Sequence, residues 1–498
     1  MDTEFIPNVK FSSISEIYPE INQLEQITRY KSLISVFEKL YNRKPKFIAR
    51  SPGRVNLIGE HIDYAGFGVL PMAISRDLII AVDITNEEND MKVRIANILN
   101  EKYPSKSWEY EGKEKIVEIK VEEGVSEWEN YFKSGYKGIL QHLSLDKPKG
   151  MYCLVDGSIP PGAGLSSSAA YICSVIIATC FANDVKVTKT KITETAIIAE
   201  RFTGMNAGGM DQTVSIFSLK DHASYIKFLP SLTATPIKLP SVNPSIVFVV
   251  ANSLITSDKV VTAPTNYNLR VVETKLAAYH LGKSLFNNPC ENLKQVCDLY
   301  SNSEEVSIEN LIKLSNYVDN IYKENQEGFT LDELSSLLNL KHDEINNKFI
   351  GKFPIRANKF QLYKRSKHVF EEASRVLKFY ELCLNEDKRE NIVKELGNLM
   401  NESHKSCKEL FNCSCDELDE LVKICLDGGA FGSRLTGAGW GGCTVSLIYE
   451  SDIDKFIRYV TEKYYNIKFP NLSKDELENV IFATSPGCEY TTIITIIQ

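Results

Sequence analysis

Pro160-Pro161-Gly162-Ala163-Gly164-Leu165-Ser166-Ser167-Ser168-Ala169-Ala170 leads into the longest apolar stretch of the chain, Ala169 to Ala182. A strand-like run, Met151–Val155, precedes it, so the segment predicts a strand, a small-residue bend and a buried core helix over Ser167–Ala182. Small residues let the backbone approach an anion closely. The first amides of a helix have no internal partners, and the helix dipole adds to their pull on negative charge. The run therefore reads as a phosphate cradle rather than a plain turn before a core helix. Its three serines add hydroxyls suited to phosphate oxygens or a magnesium ion. No Gly-Lys-Ser/Thr follows, so it is not a Walker P-loop.

Three further segments carry chemistry. Ser51-Pro52-Gly53-Arg54-Val55-Asn56-Leu57-Ile58-Gly59-Glu60-His61-Ile62-Asp63-Tyr64 follows the strand-like run Phe47–Arg50. It packs a cation, two carboxylates and an imidazole among apolar residues. Such paired donors and acceptors suit a pocket for a polyhydroxylated ligand, because an unmatched buried hydroxyl is costly. A surface ion-pair cluster is the competing reading, and the interleaved Val55, Leu57 and Ile58 count against it. Gly204-Met205-Asn206-Ala207-Gly208-Gly209-Met210-Asp211-Gln212 sets an acid behind a glycine-rich bend. Asp211 either takes a proton from a ligand hydroxyl or caps the next helix, and the residues alone leave the two equal. Gly432-Ser433-Arg434-Leu435-Thr436-Gly437-Ala438-Gly439-Trp440-Gly441-Gly442-Cys443 feeds an apolar strand, and by itself is equally a tight turn or part of a site.

The rest of the chain sorts by texture. Strand-like runs occur at Leu78–Ile84, Ala223–Phe228, Ile246–Ala251, Cys443–Tyr449, Val480–Thr484 and Tyr490–Ile497, and helical patterns at Ile27–Tyr41 and Ile192–Phe202. Helical spacing dominates from Arg270 to about Leu426, with Thr330-x-x-Glu333 and Ser414-x-x-Glu417 as capping boxes. This segregation predicts an α+β protein of two domains, 1–245 and 246–498, the second with a helical elaboration near 287–350.

Composition excludes several classes. A formal net charge of −8 disfavours nucleic acid and anionic membrane as partners. The Ala169–Ala182 stretch is shorter than the roughly 20 residues a membrane span needs. The polar, acidic start lacks a signal-peptide pattern, and twelve scattered cysteines form no paired framework, so a cytoplasmic protein with reduced thiols is expected. Cys413 and Cys415, beside Cys407, lack a second pair and read as ordinary thiols rather than a zinc site. The basic run Lys364, Arg365, Lys367 and His368 reads as a solvated helix face.

Taken together, the motifs resemble those of the GHMP kinases, and within them the galactokinases. The likeness covers most of the chain and is greatest to the longer eukaryotic type, with Ala263–Glu273 and Asn401-Glu402-Ser403 echoing that subgroup. It implies a ribosomal-protein-S5-domain-2-like N-terminal domain, an α+β C-terminal domain and an active site in the cleft between them. It also implies transfer of the γ-phosphate of ATP to the 1-hydroxyl of D-galactose, with Mg²⁺, by a monomer in the cytoplasm.

By the same resemblance Arg54 and Asp211 are catalytic. Arg54, Glu60, His61, Asp63, Gly208, Asp211 and Tyr267 bind the sugar. Gly162, Gly164, Ser166, Ser167, Lys259 and Trp128 face the nucleotide, and Ser167, Ser168 and Glu200 face magnesium. Asp258 stands where relatives commonly have asparagine. Two rivals share the pattern: an N-acetylgalactosamine kinase, and a galactose- and ATP-binding regulator that engages a transcriptional partner. Such regulators carry a shortened serine-alanine run, whereas Ser166–Ala170 is intact here.

Overall fold

A computed structural model describes residues 5–6, 14–18, 20–120, 127–204, 208–255, 262–351, 355–385, 391–488 and 491–493. The helix Ser167–Ala182 forms as its sequence predicts, and every residue from Ala169 to Cys180 is buried. Val175, Ile176 and Ile177 are each 0 % exposed, which contributes roughly 1.5–3 kcal/mol apiece. The helix packs on the strands Phe47–Ile58 and Leu70–Ile84 and on the helices Trp128–Leu143 and Lys189–Arg201.

Those strands belong to a six-stranded sheet. Its spatial order is Thr491–Ile493, Phe47–Ile58, Leu70–Ile84, Met151–Gly157, Lys92–Asn97 and Lys106–Glu109. All neighbours run antiparallel except Met151–Gly157 and Lys92–Asn97, which are parallel. The first motif straddles the end of its strand: Ser51–Ile58 are the strand's second half, and only Gly59–Tyr64 follow it. Pairing with Leu70–Ile84 shifts register between Pro52 and Arg54 and again between Asn56 and Ile58. Such irregularities accommodate proline and glycine and re-aim side chains.

A second, four-stranded antiparallel sheet has the order Gly432–Thr436, Cys443–Tyr449, Ile246–Asn252 and Ile481–Thr484. Val480, expected to start the last of these, instead ends the helix Lys474–Val480. This sheet takes all its strands from residue 246 onward. The six-stranded sheet takes five from the first half of the chain and its edge from Thr491–Ile493.

Helices fill the interval between, as their spacing predicts. Leu293–Ser301, Ile308–Ile321 and Leu331–Leu338 occupy the expected elaboration, and Leu362–Leu384 and Ile392–Ser406 run back toward the sheets. The Thr330–Glu333 capping box is made in both directions. The one at Ser414 is not. Cys415 is the N-cap of Asp416–Asp427, and Ser414 Oγ turns instead to Asp419 Oδ1 at 2.6 Å.

The basic run is also corrected. Arg365 and His368 are buried, not solvated, and Arg365 Nε meets Glu273 Oε2 at 2.6 Å. Two basic residues at this spacing face inward because buried acceptors await them, which a charge pattern alone does not disclose. All twelve cysteines are free thiols. Among the described residues, no helix is long and apolar enough to cross a membrane.

Candidate active site

Arg54 leaves the Phe47–Ile58 strand between its two register breaks and is 2 % exposed. Its guanidinium bridges two motifs that lie far away in sequence. Nη1 donates to the Gly164 carbonyl at 2.5 Å, Nε donates to Asp211 Oδ1 at 2.8 Å, and Nη2 lies in ion-pair contact with the same oxygen at 2.7 Å. The Arg54 amide also bonds to the Leu165 carbonyl at 3.1 Å. A rigid guanidinium fork can hold a carboxylate and a loop carbonyl together in one geometry.

Asp211 is not the cap of its helix. Gly209, at φ 117°, is the N-cap of Met210–Phe217, and Asp211 sits in the first turn, where the helix dipole favours a negative charge. The alternative that the sequence left open, a purely capping aspartate, is thereby removed.

Arg54, Glu60, His61, Asp63, Gly208, Asp211 and Tyr267 all line one polar cleft, with Glu200, Gly437 and Ala438. Glu60 Oε1 receives the Gly437 amide at 2.7 Å and faces Arg434 Nη1 at 3.5 Å. Burial pushes its carboxyl up, against the opposing pull of Arg434 and Arg54. His61 Nε2 meets the Ala438 carbonyl at 2.9 Å and Nδ1 meets the Tyr64 hydroxyl at 3.0 Å. A carbonyl only accepts, so the imidazole proton is on Nε2.

Burial and then the neighbouring Asp211 carboxylate push Asp63 up to about 7. Gly208 lies so close that a Cβ there would overlap the Asp63 carboxylate. Tyr267 opens the helix Tyr267–Phe286, its ring 5.6 Å from that of His61.

The Pro160–Ala170 segment adjoins this cleft through Arg54. Gly162 and Gly164 adopt φ of 70° and 75°, and Ser166 φ of 62°, which turns the chain sharply into the helix. The Ala170 amide bonds back to Ser166 O at 3.0 Å, so the amides ahead of it point out of the helix end. Ser166 Oγ is buried and finds no hydrogen-bond partner among the described residues. Ser168 Oγ donates to Glu200 Oε1 at 2.7 Å, and Gln212 Nε2 donates to Glu200 Oε2. Serine hydroxyls and a carboxylate are the hard oxygen donors that magnesium takes, so these residues fit the ion. Ser167 is half-buried at the helix start.

Trp128 begins the helix Trp128–Leu143 and stacks on Tyr171, one turn beyond Ser167, with centroids 6.3 Å apart and planes within 6°. Lys259 lies outside the described residues.

The third glycine-rich segment is a hairpin turn and a wall of the site together. A Cβ on Gly442 would meet Ala163 O at 2.8 Å, so it lies directly against the cradle. Asn56 N–H donates to Thr436 Oγ1 at 2.8 Å, and Arg434 Nη1 donates to Asn56 O at 2.9 Å, tying it to the first motif. Sequence reasoning missed Gln212, Arg434, His368 and Glu372 as supports of this site. Gln212 and Arg434 lay inside quoted motifs. The other two had only a four-residue helical spacing to signal them.

A helix-start cradle joined through one arginine to a carboxylate, between two α+β units, defines a kinase of the GHMP type. Family models for the GHMP kinase N-terminal and C-terminal domains match residues 130–218 and 388–466, and that for the galactokinase galactose-binding signature matches residues 35–84. Galactokinase from Saccharomyces cerevisiae is 38% identical, covering 92% of this chain and 93% of the relative. The Dictyostelium discoideum galactokinase is 38% identical, covering 97% of each. Galactokinase of Lactococcus lactis, solved with galactose, superposes with a TM-score of 0.67 at 22% identity, covering 93% of this chain and 99% of that one. The chain belongs to the galactokinase family.

Proposed function

We propose that the chain transfers the γ-phosphoryl group of ATP to the 1-hydroxyl of D-galactose, giving galactose 1-phosphate and ADP. The observation that carries this is the Arg54 fork, bonded at once to Gly164 of the cradle and to Asp211 in the polar cleft. It sets a phosphate end and a hydroxyl end one side chain apart.

Phosphoryl transfer needs alignment and charge compensation more than covalent chemistry. The amides of the cradle and the Ser166 and Ser167 hydroxyls hold the phosphates, and Trp128 borders the nucleotide. Glu60, His61, Asp63, Gly208 and Tyr267 orient the sugar through its hydroxyls. Asp211 accepts the proton of the 1-hydroxyl as the new O–P bond forms. Arg54 keeps Asp211 ionised in the ground state and offers positive charge to the transferring group, since an adjacent cation favours the carboxylate form. Ser168 and Glu200 are the residues that would hold magnesium, whose charge offsets that of the polyphosphate.

The deciding experiment is kcat/KM for galactose against N-acetylgalactosamine with MgATP. Galactose is expected to be the better substrate by at least about tenfold, or ~1.4 kcal/mol. A preference for the 2-acetamido sugar would replace this reading with its nearest rival. Bound galactose with no ADP release would replace it with the regulator.

A further inference from the structure

The turn Gly59-Glu60-His61 has an unusual backbone, with φ of 110° at Gly59 and 62° at His61. A histidine in the left-handed region is disfavoured, so the turn keeps this shape only where its surroundings enforce it. The enforcement comes from behind the cleft. Two side chains four residues apart on the helix Leu362–Leu384 reach the turn's backbone. Glu372 Oε1 receives the Gly59 amide at 2.9 Å. His368 Nε2 bonds to the Glu60 carbonyl at 3.0 Å, and as that oxygen only accepts, the proton is on Nε2.

Each of the two is itself fixed. His368 Nδ1 receives the Ser406 hydroxyl at 2.8 Å. Glu372 receives Ser403 Oγ at 2.6 Å and Arg375 Nε at 2.7 Å. His368 and Glu372 are both 0 % exposed, and neither lines the cleft. Between them they satisfy one donor and one acceptor of a turn whose side chains, Glu60 and His61, do line it.

We propose that His368 and Glu372 are positioning residues for the sugar: a two-point clamp that sets the Gly59–His61 turn and so aims Glu60 and His61 into the cleft. The proposal rests on the reading of that cleft as the sugar subsite. The clamp's own bonds reach only the sugar-side turn, which touches the Gly437–Gly442 turn just through Glu60 Oε1 and His61 Nε2. The cradle is attached through Arg54 and the Gly437–Gly442 hairpin turn instead. Loosening the clamp therefore separates sugar affinity from nucleotide affinity.

The test is steady-state kinetics of the full chain bearing His368→Leu, His368→Gln, Glu372→Gln or Ser406→Ala, with a melting curve for each. His368→Leu removes the donor and leaves a buried carbonyl unpaired, so the galactose KM rises about tenfold or more. The ATP KM stays within about twofold of wild type, as the cradle is held separately. His368→Gln restores an N–H at similar reach and recovers most of the galactose KM. Glu372→Gln moves the same constant in the same direction. Ser406→Ala leaves the ring in place but unanchored and gives a smaller rise, keeping the idea testable should His368→Leu fail to fold.

Parallel increases in both KM values, or a Gln variant no better than Leu, would overturn the clamp. A wild-type enzyme that prefers another sugar would overturn the proposed substrate instead. The same split would then be read on the sugar that it accepts.

Discussion

Asp211→Asn isolates the charge of the carboxylate from its shape. Asp211 Oδ1 takes a hydrogen bond from Arg54 Nε at 2.8 Å and an ion-pair contact from Nη2 at 2.7 Å, and its side chain is 18% exposed whereas that of Arg54 is 2%. Asparagine keeps an oxygen of the same reach, so the cleft and cradle persist while the proton acceptor and its charge are lost. A positioned general base contributes roughly 10²–10⁴ in rate. At about 1.36 kcal/mol per decade, that places the transition state ~3–5.5 kcal/mol higher. Exchanging a charge-assisted bond for a neutral one removes roughly 1–2 kcal/mol of stability as well.

Initial rates of ADP release at saturating galactose and MgATP read the first effect. Calorimetric titration with a non-hydrolysable ATP analogue reads nucleotide affinity, which stays near wild type. The charge-keeping Asp211→Glu is the companion, since displacing a group by ~1 Å costs about 10² in rate. A kcat for Asp211→Asn within about threefold of wild type would remove Asp211 from proton transfer and with it the proposed mechanism.

Other consequences follow from single contacts. Asp63, pushed up to about 7 by burial, Asp211 and Glu60 against the amides of Tyr64 and Met210, binds a proton more tightly folded than unfolded. Its stabilising contribution is complete below the ordinary aspartate value of about 3.9 and is lost as pH rises through about 7. Asp63→Asn should flatten the pH dependence of the melting temperature across that window, and an unchanged profile would refute the shift. Gly208→Ala forces a methyl into the Asp63 carboxylate, so the galactose KM should rise with the ATP KM little changed. Gly437, at φ 83°, backs onto Gly164, so Gly437→Ala should cost about 1–2 kcal/mol from backbone strain alone in denaturant melts, and should raise both KM values. Ser168→Ala leaves Glu200 without that hydroxyl and should raise the magnesium concentration for half-maximal rate by about tenfold.

The sequence determined the local features, because they depend on residues within a turn or two of one another. The small-residue bend and apolar run made the Ser167–Ala182 helix and its open amide end. Thr330 and Glu333 sit at capping distance and made their box. The family resemblance grouped Arg54, Glu60, His61, Asp63 and Asp211, and all five line one cleft. Where a neighbour competed, even local patterns failed, as when Ser414 turned to Asp419 and ceded its cap.

Tertiary structure alone decided what meets what. Arg54 and Asp211 are 157 residues apart, and Glu60 and Gly437 are 377 apart. It also decided that His368 and Glu372 turn inward to grip a distant backbone, and that Thr491–Ile493 completes a sheet begun at Phe47. Hydrophobic period and turn chemistry report which face of an element is buried. They carry no information about which buried donor finds which acceptor, since that is settled only when the whole core closes and every polar group must be paired at once.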